Sequence, residues 1–203
     1  MVTGEGRPWL ILVGLLGVAA YQYAGPLWAL PFAFACVWLF LLFRDPARTV
    51  PPEPRAVVAP IDGRIIDVGP DHQGQLPGRW LRITIKTNHF GAYAVRSPIE
   101  GSINSVGEKA GIGPGAPAPV GMWLCSEEQD NVVLLFPGGN RWFRPKAFVR
   151  YGERVGQGQR FAYLRLAPRA VVYLETSATV RVAPGDYVLA GETILAELAP
   201  MRA

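Results

Sequence analysis

Few residues of this 203-residue chain have side chains that could do chemistry, and they are scattered. One carboxylate, Asp62, stands directly before Gly63. Ser97, Ser102, Ser105, Ser126, Ser177 and Cys125 are possible nucleophiles, and each would need a base beside it to be activated. An Asp before Gly is also ordinary turn chemistry, since the short acid bonds nearby backbone and Gly accepts unusual torsions. Asp62 by itself therefore indicates no reaction. Residues 111–121 are rich in Gly, Pro and Ala but hold no Lys, Ser or Thr where a phosphate-binding loop needs them. They read as a mobile flap or connector. No metal set is expected.

Cations are the more abundant resource. Arg44 and Arg48 follow a long apolar stretch, well placed for a phosphate. Further on, Arg141, Arg144, Lys146, Arg150, Arg154, Arg160, Arg165 and Arg169 crowd one segment, 141–169, offset only by Glu153. That segment is at +7 while the whole chain is at +4, so the rest of the chain is at −3. Solvated strand faces would account for such a run. So would a face held against anionic headgroups, where each basic residue contributes roughly 1 kcal/mol.

The elements that must position these groups begin with an uncharged stretch from Trp9 to Phe43. As one helix it would measure about 52 Å at about 1.5 Å per residue, against a hydrocarbon core of about 30 Å. Gly25-Pro26 breaks it near the middle, with Tyr21, Tyr23 and Trp28 around the break. The pattern predicts a membrane hairpin in residues 1–44, with short helices over 9–24 and 27–43, either spanning or re-entrant in one leaflet. It is too long for a signal peptide. Arg7, Arg44 and Arg48 flank the hairpin and its turn is uncharged, which puts both ends in the cytoplasm. Cys36 in the hairpin and Cys125 beyond it are not expected to pair.

Residues 45–58 form a proline-rich linker (Pro46, Pro51, Pro52, Pro54). From 59 to 199 the chain turns to short β-type runs over 64–68, 80–86, 92–95, 131–136, 142–149, 160–166, 170–174 and 193–198. Turn signals separate them, including Pro137-Gly138-Gly139-Asn140. Two echoes sharpen the expectation. Ala59-Pro60-Ile61-Asp62-Gly63-Arg64-Ile65 returns further on as Ser97-Pro98-Ile99-Glu100-Gly101-Ser102-Ile103. The unit that begins Gly152-Glu153-Arg154-Val155 returns as Gly185-Asp186-Tyr187-Val188. The predicted fold is mainly β: a flattened antiparallel barrel or sandwich with internal repeats, of the barrel-sandwich kind, behind a helical membrane hairpin. Biotinyl and lipoyl carriers are built this way, but their modified Lys has no counterpart in Leu166-Ala167-Pro168-Arg169.

The order of Phe43-Arg44-Asp45-Pro46-Ala47-Arg48, Ala59-Pro60-Ile61-Asp62-Gly63, Arg96-Ser97-Pro98-Ile99-Glu100-Gly101 and the two Gly-acid units resembles the short bacterial phosphatidylserine decarboxylase proenzymes over nearly the whole chain. The resemblance implies a self-cleaving, pyruvoyl-dependent enzyme that converts phosphatidylserine to phosphatidylethanolamine. In that chemistry a Ser attacks the preceding carbonyl with help from a His and an Asp, and the freed residue becomes the pyruvoyl group that forms a Schiff base with the lipid amine. Asp62 matches the family's Asp. The family's His falls on Tyr93, and His89, four residues earlier, lies about 13 Å away along a regular strand. The family's Gly-Ser falls on Ala167-Pro168, and Pro168 has neither hydroxyl nor N–H.

The resemblance therefore implies a degenerate member without a pyruvoyl cofactor. Its expected partners are a membrane phospholipid, an aminophospholipid in particular, and an active decarboxylase or a second copy of the chain. It is expected at the inner membrane with the β domain on the cytoplasmic face. A domain tethered to lipid makes nucleic acid an unlooked-for partner. Arg44, Arg48, Arg165 and Arg169 are the expected lipid-binding residues, and Asp62 could accept a hydrogen bond from a lipid amine. The alternatives are an active decarboxylase or other lipid-modifying enzyme working by an unorthodox route, and a purely structural protein.

Overall fold

The structure is a computed structural model that describes residues 6–43, 46–53, 55–71, 78–88, 91–92, 94–107, 120–137, 145–164 and 167–199. The chain divides into two compact units, one of residues 1–47 and 90–93, the other of 48–89 and 94–203.

The first unit is a helical hairpin of α1 (Arg7–Ala24) and α2 (Pro26–Phe43). Pro8 in the first turn of α1 lacks only a donor that the helix would leave unsatisfied. The helix ends at Gly25, whose φ of 96° is open to glycine, and whose N–H bonds to the Tyr21 carbonyl at 3.2 Å. Pro26 then opens α2, so the break falls at the expected dipeptide. The helices approach closely where Gly17 faces Phe32: a Cβ on Gly17 would lie 3.1 Å from the Phe32 Cβ. Most of the large apolar side chains point outward, among them Trp9, Leu15, Tyr23, Leu27, Trp28, Phe34 and Trp38. The spanning form of the hairpin is not supported. Among the described residues no helix is long and apolar enough to cross a membrane. Each helix has 18 residues, about 27 Å at about 1.5 Å per residue, and α1 includes Arg7 and Gln22.

The second unit is antiparallel β throughout its described part. Its strands are β1 (Ala56–Val58), β2 (Gly63–Pro70), β3 (Trp80–Thr87), β4 (Ala94–Arg96), β5 (Gly101–Gly107), β6 (Val120–Cys125), β7 (Asn131–Phe136), β8 (Lys146–Ala147), β9 (Arg154–Val155), β10 (Arg160–Tyr163), β11 (Arg169–Glu175), β12 (Thr179–Val180), β13 (Tyr187–Val188) and β14 (Ile194–Glu197). Eight of them form one sheet in the order β13-β2-β3-β11-β7-β6-β5-β9, and two three-stranded sheets, β1-β14-β12 and β4-β10-β8, accompany it. The last residues of the expected linker 45–58 are thus a strand, with Ala56, Val57 and Val58 all buried. Of the expected strand 142–149 only Lys146–Ala147 is assigned, and 142–144 lie outside the described residues. So do 138–140 of the hairpin loop and 111–119 of the Gly-Pro loop, whose last two residues begin β6.

The repeats are visible as matched hydrogen bonds. Ile65 donates to the Asp186 carbonyl (2.9 Å) and accepts from Gly185 (2.8 Å), while Ile103 donates to Glu153 (3.0 Å) and accepts from Gly152 (2.8 Å). Val58 donates to Pro98, and Arg96 to Pro60, each at 2.9 Å. The two Asp/Glu-Gly positions serve one purpose: a Cβ on Gly63 would sit 2.2 Å from the Lys86 carbonyl, and one on Gly101 2.2 Å from that of Cys125. Only glycine permits each strand to start so close to its neighbour.

Alternation buries Ile61, Ile65, Ile83, Ile85, Ile103, Leu124, Leu134, Phe161, Val172 and Leu174 on one side of the strands. Val133, Leu135, Val171, Tyr173 and Trp80 form a second cluster, with Trp123 edge-on to Trp80 at 5.9 Å. β7 and β11 are consequently covered on both faces, which explains why 131–136 reads as one unbroken apolar run.

Candidate functional site

The site expected from sequence gathers where β2 starts and β3 and β11 meet. Asp62 precedes β2 and is 4% exposed. Its Oδ1 accepts the Ala190 N–H at 2.8 Å, and its Oδ2 pairs with the Arg48 Nη2, also at 2.8 Å. Arg48 reaches further to Glu192 (3.5 Å), whose other oxygen accepts the Thr49 N–H at 3.2 Å. The Asp62 carbonyl accepts the Asn88 N–H at 3.0 Å. One buried carboxylate thereby ties together the segment that enters the β unit, the turn before β2, and the second Gly-acid unit.

Gly63 is the register partner of Thr87, the last residue of β3. On its other side Thr87 holds both residues of the position equivalent to a scissile bond: its N–H donates to the Pro168 carbonyl at 3.0 Å, and its hydroxyl to the Ala167 carbonyl at 2.8 Å. Ala167 is buried and Pro168 is exposed. Asp62 and Pro168 therefore sit on opposite sides of the β3 terminus, two strand spacings or about 10 Å apart. Thr87 gave no motif-level signal, because its role depends on which strand ends come side by side.

Two of the expected lipid-binding residues can be placed. Arg169 opens β11 and is exposed. Arg48 corrects an expectation: its side chain is 11% exposed and turned to Asp62, not outward to a phosphate. Asp62, expected as an acceptor for a lipid amine, is buried with Arg48 on one carboxylate oxygen and the Ala190 N–H on the other. Arg44, Tyr93, Arg165 and His89 lie outside the described residues.

Around Arg169 the register assembles a group of cations that the sequence does not announce. Arg64 on β2 pairs with Lys86 on β3, and Lys86 with Arg169 on β11. All three are exposed. The site thus offers a buried, ion-paired carboxylate on the inside and a group of exposed cations on the outside. Among the described residues it offers no metal-binding group of His, Cys, Asp and Glu.

These features define a class: antiparallel β proteins made of two matched repeats that follow a helical hairpin in the sequence, with an Asp-Gly strand start next to the end of β3. No family model matches the chain. It is 33% identical over 205 residues to the phosphatidylserine decarboxylase proenzyme of Nitrosomonas europaea, covering 97% of this chain and 95% of that protein. It is 31% identical over 210 residues to the proenzymes of Burkholderia vietnamiensis and Burkholderia multivorans, covering 98% of this chain and 96% of each. Among solved structures, glucose permease IIA from Mycoplasma capricolum is 15% identical, covers 70% of this chain and 93% of its own, and has a TM-score of 0.48. The chain belongs to the phosphatidylserine decarboxylase proenzyme family, and with it to phospholipid metabolism.

Proposed function

We propose that this chain is a catalytically silent member of its family, one that binds an aminophospholipid at the membrane without converting it, alone or as the partner of an active decarboxylase or of a second copy. The observation that carries the reading is Pro168. Self-processing needs a hydroxyl at this position to attack the carbonyl before it. Proline has none, and here the carbonyls of Ala167 and Pro168 are both engaged by Thr87. The supporting changes are a phenol at Tyr93, a poor base at neutral pH, and the occupation of Asp62 by Arg48. On this reading there is no pyruvoyl cofactor, and Asp62 is a structural anchor kept from a catalytic ancestor.

The matched hydrogen bonds of the two repeats support a flattened barrel-sandwich for the β unit. The outward Trp, Tyr and Phe side chains of α1 and α2 support a hairpin that dips into one leaflet of the inner membrane, and Arg7, Arg44 and Arg48 in the flanking sequence support a cytoplasmic β unit.

The test is intact-mass analysis of the purified full-length protein beside a decarboxylation assay in phosphatidylserine vesicles. One unbroken chain, no carbon dioxide, and retention of phosphatidylserine over phosphatidylglycerol are expected. A break within residues 165–169 with a blocked new N-terminus, or catalytic turnover, would overturn the silent reading. Equal retention of both lipids would overturn the aminophospholipid site.

A further inference from the structure

We propose that the end of the β13-β2-β3-β11 sheet at which β11 begins is a docking surface for anionic phospholipid headgroups, built on one cross-strand row. The row is a matter of register. Tyr187 pairs with Arg64, Arg64 with Lys86, and Lys86 with Arg169. Residues directly opposite one another share a face of the sheet, so four adjacent strands place an aromatic ring and three cations in a line. At about 4.8 Å per strand the line is about 14 Å long. Tyr187 is 75% exposed, and Arg64, Lys86 and Arg169 are exposed as well.

Like charges directly opposite one another destabilise a sheet, and this row has two such pairs in succession. The usual remedy is an interleaved carboxylate. Among the described residues none of the three cations is ion-paired to one. Arg64 donates through Nε to the Gly185 carbonyl and lies over the Tyr187 ring at 5.3 Å. The neighbouring Asp186 carboxylate accepts the Ala183 N–H. An anionic surface would supply a counter-charge that no described carboxylate supplies through an ion pair.

The apolar neighbours say which anion. Ile66 stands two residues beyond Arg64, at the irregularity of β2, and is 45% exposed. Leu189 stands two residues beyond Tyr187 and is 44% exposed. An isoleucine, a leucine and a tyrosine beside three cations suit a bilayer interface, where the apolar groups enter the headgroup layer and the cations meet phosphates. A duplex nucleic acid would leave Ile66 and Leu189 unused. The surface goes beyond the function proposed above: it needs phosphate and negative charge, not a lipid amine, and it stands whether or not the chain is catalytic.

The experiment uses the full-length protein and compares its partitioning into vesicles of phosphatidylcholine alone and of phosphatidylcholine mixed with phosphatidylglycerol, which has no amine. The hairpin contributes to both, so the ratio of the two partition coefficients isolates the row. The variant Arg64→Gln/Lys86→Gln/Arg169→Gln is expected to lower that ratio about 100-fold, at about fivefold per cation. The charge-keeping variant Arg64→Lys/Arg169→Lys should retain it, with circular dichroism melting to show that both variants fold. Added salt should erase the preference of the parent chain. An unchanged ratio in the Gln variant, or an anionic preference that survives high salt, would overturn the proposal. So would a duplex oligonucleotide that displaces the protein from anionic vesicles while Ile66→Ser/Leu189→Ser binds them as the parent does. Loss of discrimination between phosphatidylserine and phosphatidylglycerol would count against the aminophospholipid reading and leave this one standing.

Discussion

Replacing Arg48 by Ala tests whether Asp62 is an anchor. The Asp62 side chain is 5% exposed and that of Arg48 11%, with 2.8 Å between the charged atoms. Arg48→Ala leaves a buried carboxylate with the Ala190 N–H but without its counter-ion. Breaking a buried pair by removing one partner costs about 3–5 kcal/mol. The retained N–H bond argues for the lower end, about 3 kcal/mol. The contact with Glu192 adds little, because at 3.5 Å and 30% exposure it is close to a surface pair. At about 2–4 °C per kcal/mol for a chain of this size, the melting temperature should fall by roughly 6–12 °C. Arg48→Met/Asp62→Asn removes both charges and should recover most of the loss, since apolar or neutral replacement of a buried pair is often nearly neutral. Thermal unfolding of the parent, the single and the double variants gives the comparison directly. A loss below about 1 kcal/mol in Arg48→Ala would refute the anchor, as would a double variant no more stable than the single one.

Gly63→Ala and Gly101→Ala should each destabilise by at least about 1–3 kcal/mol, and by similar amounts, because each new Cβ meets a backbone carbonyl at 2.2 Å; chemical denaturation would show it. Pro168→Ser alone should remain uncleaved by mass spectrometry, since Tyr93 supplies no imidazole and Ala167 and residue 168 stay held by Thr87. Burial pushes the Tyr173 phenol up from 10 to about 12, with Asp71 adding to the rise and Arg82 opposing it. A raised folded-state value means stability is full below pH 10 and falls as pH climbs from 10 to about 12. Alkaline unfolding should accordingly be milder in Tyr173→Phe, and the parent chain should show late phenolate absorbance that this variant loses. A cysteine placed at Gly25, with Cys36 and Cys125 replaced by Ala, should resist labelling from outside the inner membrane; labelling from that side would reject the one-leaflet hairpin.

Some of this molecule is written locally. The helix break at Gly25-Pro26 is a torsional fact about two residues. The run 131–136 appears as β7 with the expected bounds, because an unbroken apolar stretch of that length has few other uses. The start of β2 at Gly63 and of β5 at Gly101 follows from a repeated motif in which glycine admits a neighbouring carbonyl. Shorter elements were not legible. β1 has three residues and β9, β12 and β13 two each, too few for a periodicity, and β1 ends a segment whose prolines suggested a linker. Strands of that length exist because neighbours supply their hydrogen bonds.

The partners of the site residues belong to the tertiary structure alone. Arg48 follows an apolar stretch, and sequence context turns it toward lipid; folding turns it to Asp62, 14 residues on. Arg64, Lys86 and Arg169 lie far apart along the chain, and Arg64 and Lys86 each read by themselves as solvated positions on strands. Composition and periodicity determine which face of a strand a side chain takes. They do not determine which strands lie together or in what register, because that is decided by the burial of Ile65, Ile83, Ile85 and Val172 across β2, β3 and β11. A slip of one residue would send those side chains to the solvent face. The apolar core fixes the alignment, and the row of cations on the opposite face follows from it.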